Sequence, residues 1–146
     1  MNVITNLAER RQKKQLQTER KMLRELPVRK LKDTVYEWFA PLFQKRWIHH
    51  TYLEDICSEY AIESFILGAL YSRFGYYGES LEKVHARCMT QEQELICNLY
   101  DEVCHLQTGN NDFENESLYM ACEYFIHFWW KEGFFAGTKR HKLRLQ

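Results

Sequence analysis

Four carboxylates and an imidazole recur at helical spacing in this chain of 146 residues. Asp55, Glu59 and Glu63 are four residues apart and share one stripe of a helix, and Glu123 and His127 are also four apart. If their two helices pack together, Glu59, Glu63, Glu123 and His127 converge. Carboxylate and imidazole donors inside a helical bundle suit a metal ion or acid–base chemistry. The Glu-x-x-His motif of di-iron bundles is absent. The plainer reading is a solvated acid stripe and a surface Glu–His pair, with no catalytic residue, no metal and no cofactor.

Other donor groups are incomplete as motifs. His49 and His50 follow Arg46 and Trp47 and precede Glu54, a set that reaches a metal or a phosphate or simply decorates a connection. His85 and Cys88 are three apart on one short helix, whereas Cys104 and His105 are adjacent and point different ways. Neither pair has the second half that a zinc motif needs. GxGxxG, GxxxxGK[ST] and GxSxG do not occur, so no phosphate loop or nucleophile elbow is written in the chain.

Charge is segregated although it sums to zero. Residues 1–32 carry a net +7, residues 33–130 a net −11 and residues 131–146 a net +4. Arg10, Arg11, Lys13, Lys14, Arg20 and Lys21 could contact a polyanion or an acidic partner. No aromatic residue lies among residues 1–32 to stack on bases. Contact between the basic ends and the acidic body, within one chain or between two, is the expected use. The turn Phe74-Gly-Tyr-Tyr-Gly-Glu-Ser80 offers a second recognition surface, formed by Arg73, Tyr76, Tyr77 and Glu79. Alternatively, both tyrosine rings fold back over the core.

The elements that must position these residues are helices. Sixteen Leu and sixteen Glu stand against five Val, with only six Gly and two Pro. Leu and Glu lose little rotamer freedom in a helix and Val loses more. The expectation is an all-α, single-domain bundle of five to seven helices. It divides into a basic N-terminal helix or arm (1–26), a helical domain (27–137) and a basic C-terminal tail (138–146). In the first segment Leu7, Leu16, Leu23 and Leu26 are the apolar anchors. Val28, Leu31, Val35, Trp38, Phe39 and Leu42 mark a core-facing helix that Pro41 should end near Ala40.

A capping box of Thr51 and Glu54 opens a central helix, Tyr52 to Phe74, in which Gly68 implies close approach of another helix. Gly75 suits a left-handed C-cap. A helix over Glu79–Met89 follows, and a second capping box, Thr90 with Gln93, opens one that runs to Leu106. After a loop at Gly109–Asp112, the other central helix starts near Asn115 with Leu118, Cys122, Phe125, Ile126 and Trp129 inward. Gly133 and Gly137 weaken its end in the 130s. Five cysteines without CxxC spacing read as buried thiols rather than a disulfide framework. With no signal peptide or membrane-length apolar run, a cytoplasmic protein is expected.

Several strings resemble one known family. Ala61-Ile-Glu-Ser-Phe-Ile-Leu-Gly68, Phe74-Gly-Tyr-Tyr-Gly-Glu-Ser80, Ala86-Arg87, Trp129-Trp130 with Gly133-Phe134, and Lys142-Leu-Arg144 are similar to the uncharacterised YbaK family of Bacillus and its relatives. That family is distinct from the aminoacyl-tRNA deacylase of the same name. The resemblance covers most of the chain and implies a small cytoplasmic protein of a Gram-positive bacterium, with no catalytic residues to carry over. The functional expectation is a non-enzymatic interaction or regulatory protein whose partner is a protein, a second copy of itself included. Metal binding or acid–base catalysis through the central helices and nucleic-acid binding through residues 1–32 are the alternatives.

Overall fold

The computed structural model describes residues 3–42, 50–106 and 112–144. Its order is α1 (Val3–Arg24), α2 (Val28–Phe39), a 3-10 turn (Ala40–Leu42), α3 (His50–Tyr76), α4 (Leu81–Arg87), α5 (Met89–Cys104) and α6 (Asp112–Arg144). Among the described residues there is no strand, and the fold is a single all-α domain. Residues 43–49, with His49, the side chains of His50 and Thr51, and residues 107–111, where most of the expected Gly109–Asp112 loop falls, lie outside the described residues.

Helices α3 and α6 form the centre and run parallel. Ser64 Oγ donates to the Ile126 carbonyl at 2.6 Å, Gly68 faces Trp130, and Gly137 faces Ser72. A methyl group on Gly68 would strike the Trp130 carbonyl oxygen, and one on Gly133 would strike that of Phe65. The close approach expected at Gly68 is therefore present. Gly133 and Gly137 do not weaken α6, which continues to Arg144. A glycine costs about 1 kcal/mol in a helix, and here the contact of one backbone with the other offsets that cost.

Around this pair α2 packs antiparallel to α6. Lys30 pairs with Glu132 at 3.0 Å, the Trp129 indole N–H donates to Thr34 Oγ1 at 3.2 Å, and Trp38 meets Phe125 edge-on at 6.0 Å. Of the apolar spacing read in α2, Leu31, Val35 and Phe39 are buried and Trp38 and Leu42 pack against the core, whereas Val28, at the first turn, is exposed. Pro41 ends the helix as expected, because its ring is incompatible with another α-helical turn. Helix α5 also runs against α6, with Tyr100 on Tyr119 at 5.4 Å and Glu92 beside His127. Leu118, Cys122, Phe125, Ile126 and Trp129 are all buried. Among the described side chains of α1 only Met22, near its end, joins the core, followed by Leu26 just beyond it. Leu7, Leu16 and Leu23 are exposed, so most of the expected anchors do not bury.

Two turns differ from expectation. The left-handed residue after α3 is Gly78 (φ +112°), not Gly75. Glu79 N–H bonds to the Phe74 carbonyl at 3.0 Å and Gly78 N–H to that of Gly75 at 3.1 Å, which closes a Schellman motif. Gly75 lies inside α3 and gives the Phe134 ring room to pack. The second capping box does not form. Ser80 caps α4 by accepting the Lys83 N–H at 3.2 Å, and the chain breaks at Cys88, leaving Thr90 inside α5. The break comes early because Val84 and Cys88 must both bury with Trp130 and Phe134 in a small second core.

Candidate metal centre

The break at Cys88 is a single residue still in the right-handed helical region, so it kinks the path between α4 and α5, and residues seven apart, about two helical turns, remain on one face. His85 Nε2 hydrogen-bonds Glu92 Oε2, and His127 Nδ1, from α6, lies 3.4 Å from Glu92 Oε1. Donor atoms of the three residues all fall within 4.8 Å of one another. Glu92 is only 5% exposed. A buried carboxylate is stable only when paired or ligated, and the ion pairs of this one are with two imidazoles.

Trp130 supplies the floor. His85 stands edge-on to its ring at 5.0 Å, and His127 stacks parallel to it at 6.3 Å. The two imidazole centroids are 4.5 Å apart. His127 Nδ1 is buried with no hydrogen-bond partner. Burial raises the Cys88 thiol above its ordinary range, opposed by the Trp130 indole and reinforced by the Glu92 carboxylate. Above the triad a cavity of about 200 Å³ is walled by Met89, Gln93, Ile96, Glu123 and Tyr124.

Two histidines and a carboxylate, with space on one side, make a donor set for a borderline divalent metal that keeps coordination positions open. Metal–ligand bonds of about 2.0–2.2 Å place donor atoms about 3–3.5 Å apart. The three donors, all within 4.8 Å of one another, are near that spacing.

Of the four residues expected to converge, Glu123 and His127 line this cavity. Glu59 and Glu63 do not. They are exposed on α3 beside Tyr60, whose hydroxyl burial, Glu102 and these two acids push up to about 12. His105 lies elsewhere and bonds the Asp101 carbonyl at 2.6 Å. The pair His85 and Cys88 lacked a second half in sequence, and Glu92 with His127 supplies it for His85. Glu92 was missed altogether. Its signal was its place on the apolar stripe of α5, with Ile96, Leu99 and Val103, all of them buried.

The Tyr76–Tyr77 turn divides. Tyr76 packs against His141 at 5.8 Å, whereas Tyr77 stands in solvent. Arg73 covers the Phe74 ring, and Glu79 is held by two bonds from Arg87. Arg10, Arg11, Lys13, Lys14, Arg20 and Lys21 are exposed on α1. Two ion pairs, Lys30–Glu132 and Arg140–Glu25, join the two basic stretches to each other.

The family described as "Protein of unknown function (DUF2521)" matches residues 1–146. The chain belongs to this family. It is 29% identical over 137 residues to the "Uncharacterized protein YbaK" of Bacillus subtilis (strain 168), covering 93% of each chain. The resemblance to the YbaK family is thus sound. No solved structure matches. Among the described residues no helix is long and apolar enough to cross a membrane.

Proposed function

We propose that this chain binds one divalent transition-metal ion through His85, Glu92 and His127. The observation that carries the reading is a buried carboxylate held between imidazoles from two other helices, one of them with an unbonded nitrogen. The ligands come from α4, α5 and α6, so the ion would tie three helices together. Glu123 and Tyr124 stand at the open side, where a fourth ligand or a small molecule would enter. Metal analysis of chain purified without chelator, and calorimetric titration of the stripped chain with zinc, test this. One zinc per chain, lost in Glu92→Gln and His127→Ala, is expected. Substoichiometric uptake, or full uptake by both variants, would refute it.

A second reading is association with a protein partner or a second copy of the chain. It is supported by α1, where Leu16 and Leu23 lie seven residues apart on one exposed stripe. Sedimentation across protein and salt concentrations should then show a larger species. A monomer throughout would count against self-association.

A further inference from the structure

The basic C-terminal end of α6 and the Tyr76–Tyr77 turn are 60 or more residues apart in sequence, yet they form one surface. The last turn of α6 carries His141, Lys142 and Arg144. Arg140 lies 3.8 Å from Glu25, just beyond the end of α1 that bears Lys21 and Arg24. Burial together with the charges of Arg140, Arg144 and Arg73 holds His141 below its ordinary range, so cations of α3 and α6 face one point. Acids nearby are already engaged, Glu25 with Arg140 and Glu79 with Arg87. An open cavity of about 390 Å³, lined by Glu25, Ala136, Lys139, Arg140 and Leu143, lies beside this end of the bundle.

Aromatic rings complete the surface. Tyr76 rests on His141 at 5.8 Å, and Tyr77 meets Tyr76 edge-on at 5.3 Å while remaining 80% exposed. Residues 1–32 supply cations without rings, whereas this pole supplies both. Proteins that hold single strands combine a cationic track for the phosphates with exposed rings on which bases stack. A duplex or an acidic polymer would use the cations and leave the Tyr77 ring idle.

We propose that this pole binds single-stranded nucleic acid, with Lys142 and Arg144, both exposed, against phosphates and Tyr77 stacked on a base. The surface shares no residue with the His85–Glu92–His127 centre, so either can fail without the other.

The test uses the full chain and a fluorescein-labelled oligo-dT of about 20 nucleotides, longer than the site sizes of one small module. Anisotropy is followed over a salt series. Affinity should fall with salt on a log–log line, with a slope of about −0.7 per phosphate neutralised. Tyr77→Ala should weaken binding about five- to a hundredfold, the loss of one base stack, and Tyr77→Phe should retain it. Lys142→Glu with Arg144→Glu, both exposed, should weaken binding and flatten the salt slope. Circular dichroism of Tyr77→Ala should match the parent, because the removed ring is in solvent. No binding at about 50 mM salt, tighter binding of a duplex or of anionic vesicles, or an unchanged affinity in Tyr77→Ala would overturn the proposal. A loss confined to Arg10→Glu with Arg11→Glu would also overturn it, by assigning the contact to α1.

Discussion

Glu92 Oε1 lies 3.4 Å from His127 Nδ1 across the contact of α5 with α6, while its other oxygen bonds His85 of α4. One buried acid therefore joins three helices at a point where hydrophobic packing alone would have placed an aliphatic side chain. Such a position is costly unless positive charge, on a protonated imidazole or a bound metal ion, completes it. That cost is the physical motive for the metal reading.

Metal should be visible in stability. A ligand specific for the folded state at 100 times its dissociation constant adds about 2.7 kcal/mol, which for a domain of this size raises the midpoint by about 5–10 °C. Thermal melts with and without zinc should show this rise for the parent chain and none for Glu92→Gln. Equal rises in both would place the bound zinc elsewhere.

Gly68 and Gly133 test the central pair through the sign of the effect. In an ordinary helix interior Gly→Ala stabilises by about 1 kcal/mol. At these two positions the new methyl meets the opposing carbonyl, of Trp130 and of Phe65 respectively. Each substitution should therefore destabilise, by about 1–3 kcal/mol or more, because the helices must move apart. Urea unfolding measures it, and a stabilised Gly133→Ala would contradict the parallel packing described above.

Thr34 accepts the N–H of Trp129, and both residues are buried. Thr34→Val keeps the shape and removes the acceptor, so it should cost about 1–3 kcal/mol, the penalty of an unpaired buried donor. Thr34→Ser keeps the hydroxyl and should cost less. Equal losses in the two variants would show that packing, not the hydrogen bond, matters at this position.

Burial, with a contribution from Cys104, pushes the Cys122 thiol from 9.0 up to about 12. Above pH 9 the unfolded chain loses this proton while the folded chain keeps it, so the unfolded state binds fewer protons and stability falls as pH rises. The contribution is whole below pH 9 and is lost progressively toward 12. Urea midpoints at increasing pH above 9 should decline, and the decline should be shallower in Cys122→Ala. The same burial should make exposed Cys97 react with a thiol reagent before Cys57 and Cys122.

Much of the fold was written locally. The three- and four-residue recurrence of Leu31, Val35 and Phe39, and of Leu118, Cys122, Phe125, Ile126 and Trp129, named faces that are buried in the structure. Pro41 marked the end of α2 for a reason internal to its own ring. Turn details were less legible. Gly75 and Gly78 both suit a left-handed cap, and the choice between them fell to the Phe134 ring, which occupies the space beside Gly75.

By itself, then, the sequence determined an all-α chain, two apolar central helices and the segregation of charge, because these depend on residue type and on a fixed helical period. The tertiary structure alone decided which polar groups meet. His85, Glu92 and His127 come from three helices, and Tyr76 and His141 from the ends of α3 and α6. Convergence of that kind depends on how far one helix slides and rotates on another. Here the slide is set by backbone contact at Gly68 and Gly133 and by the early break at Cys88. Each of these is a balance of packing across the whole core, and none is a property of the residues on either side of it.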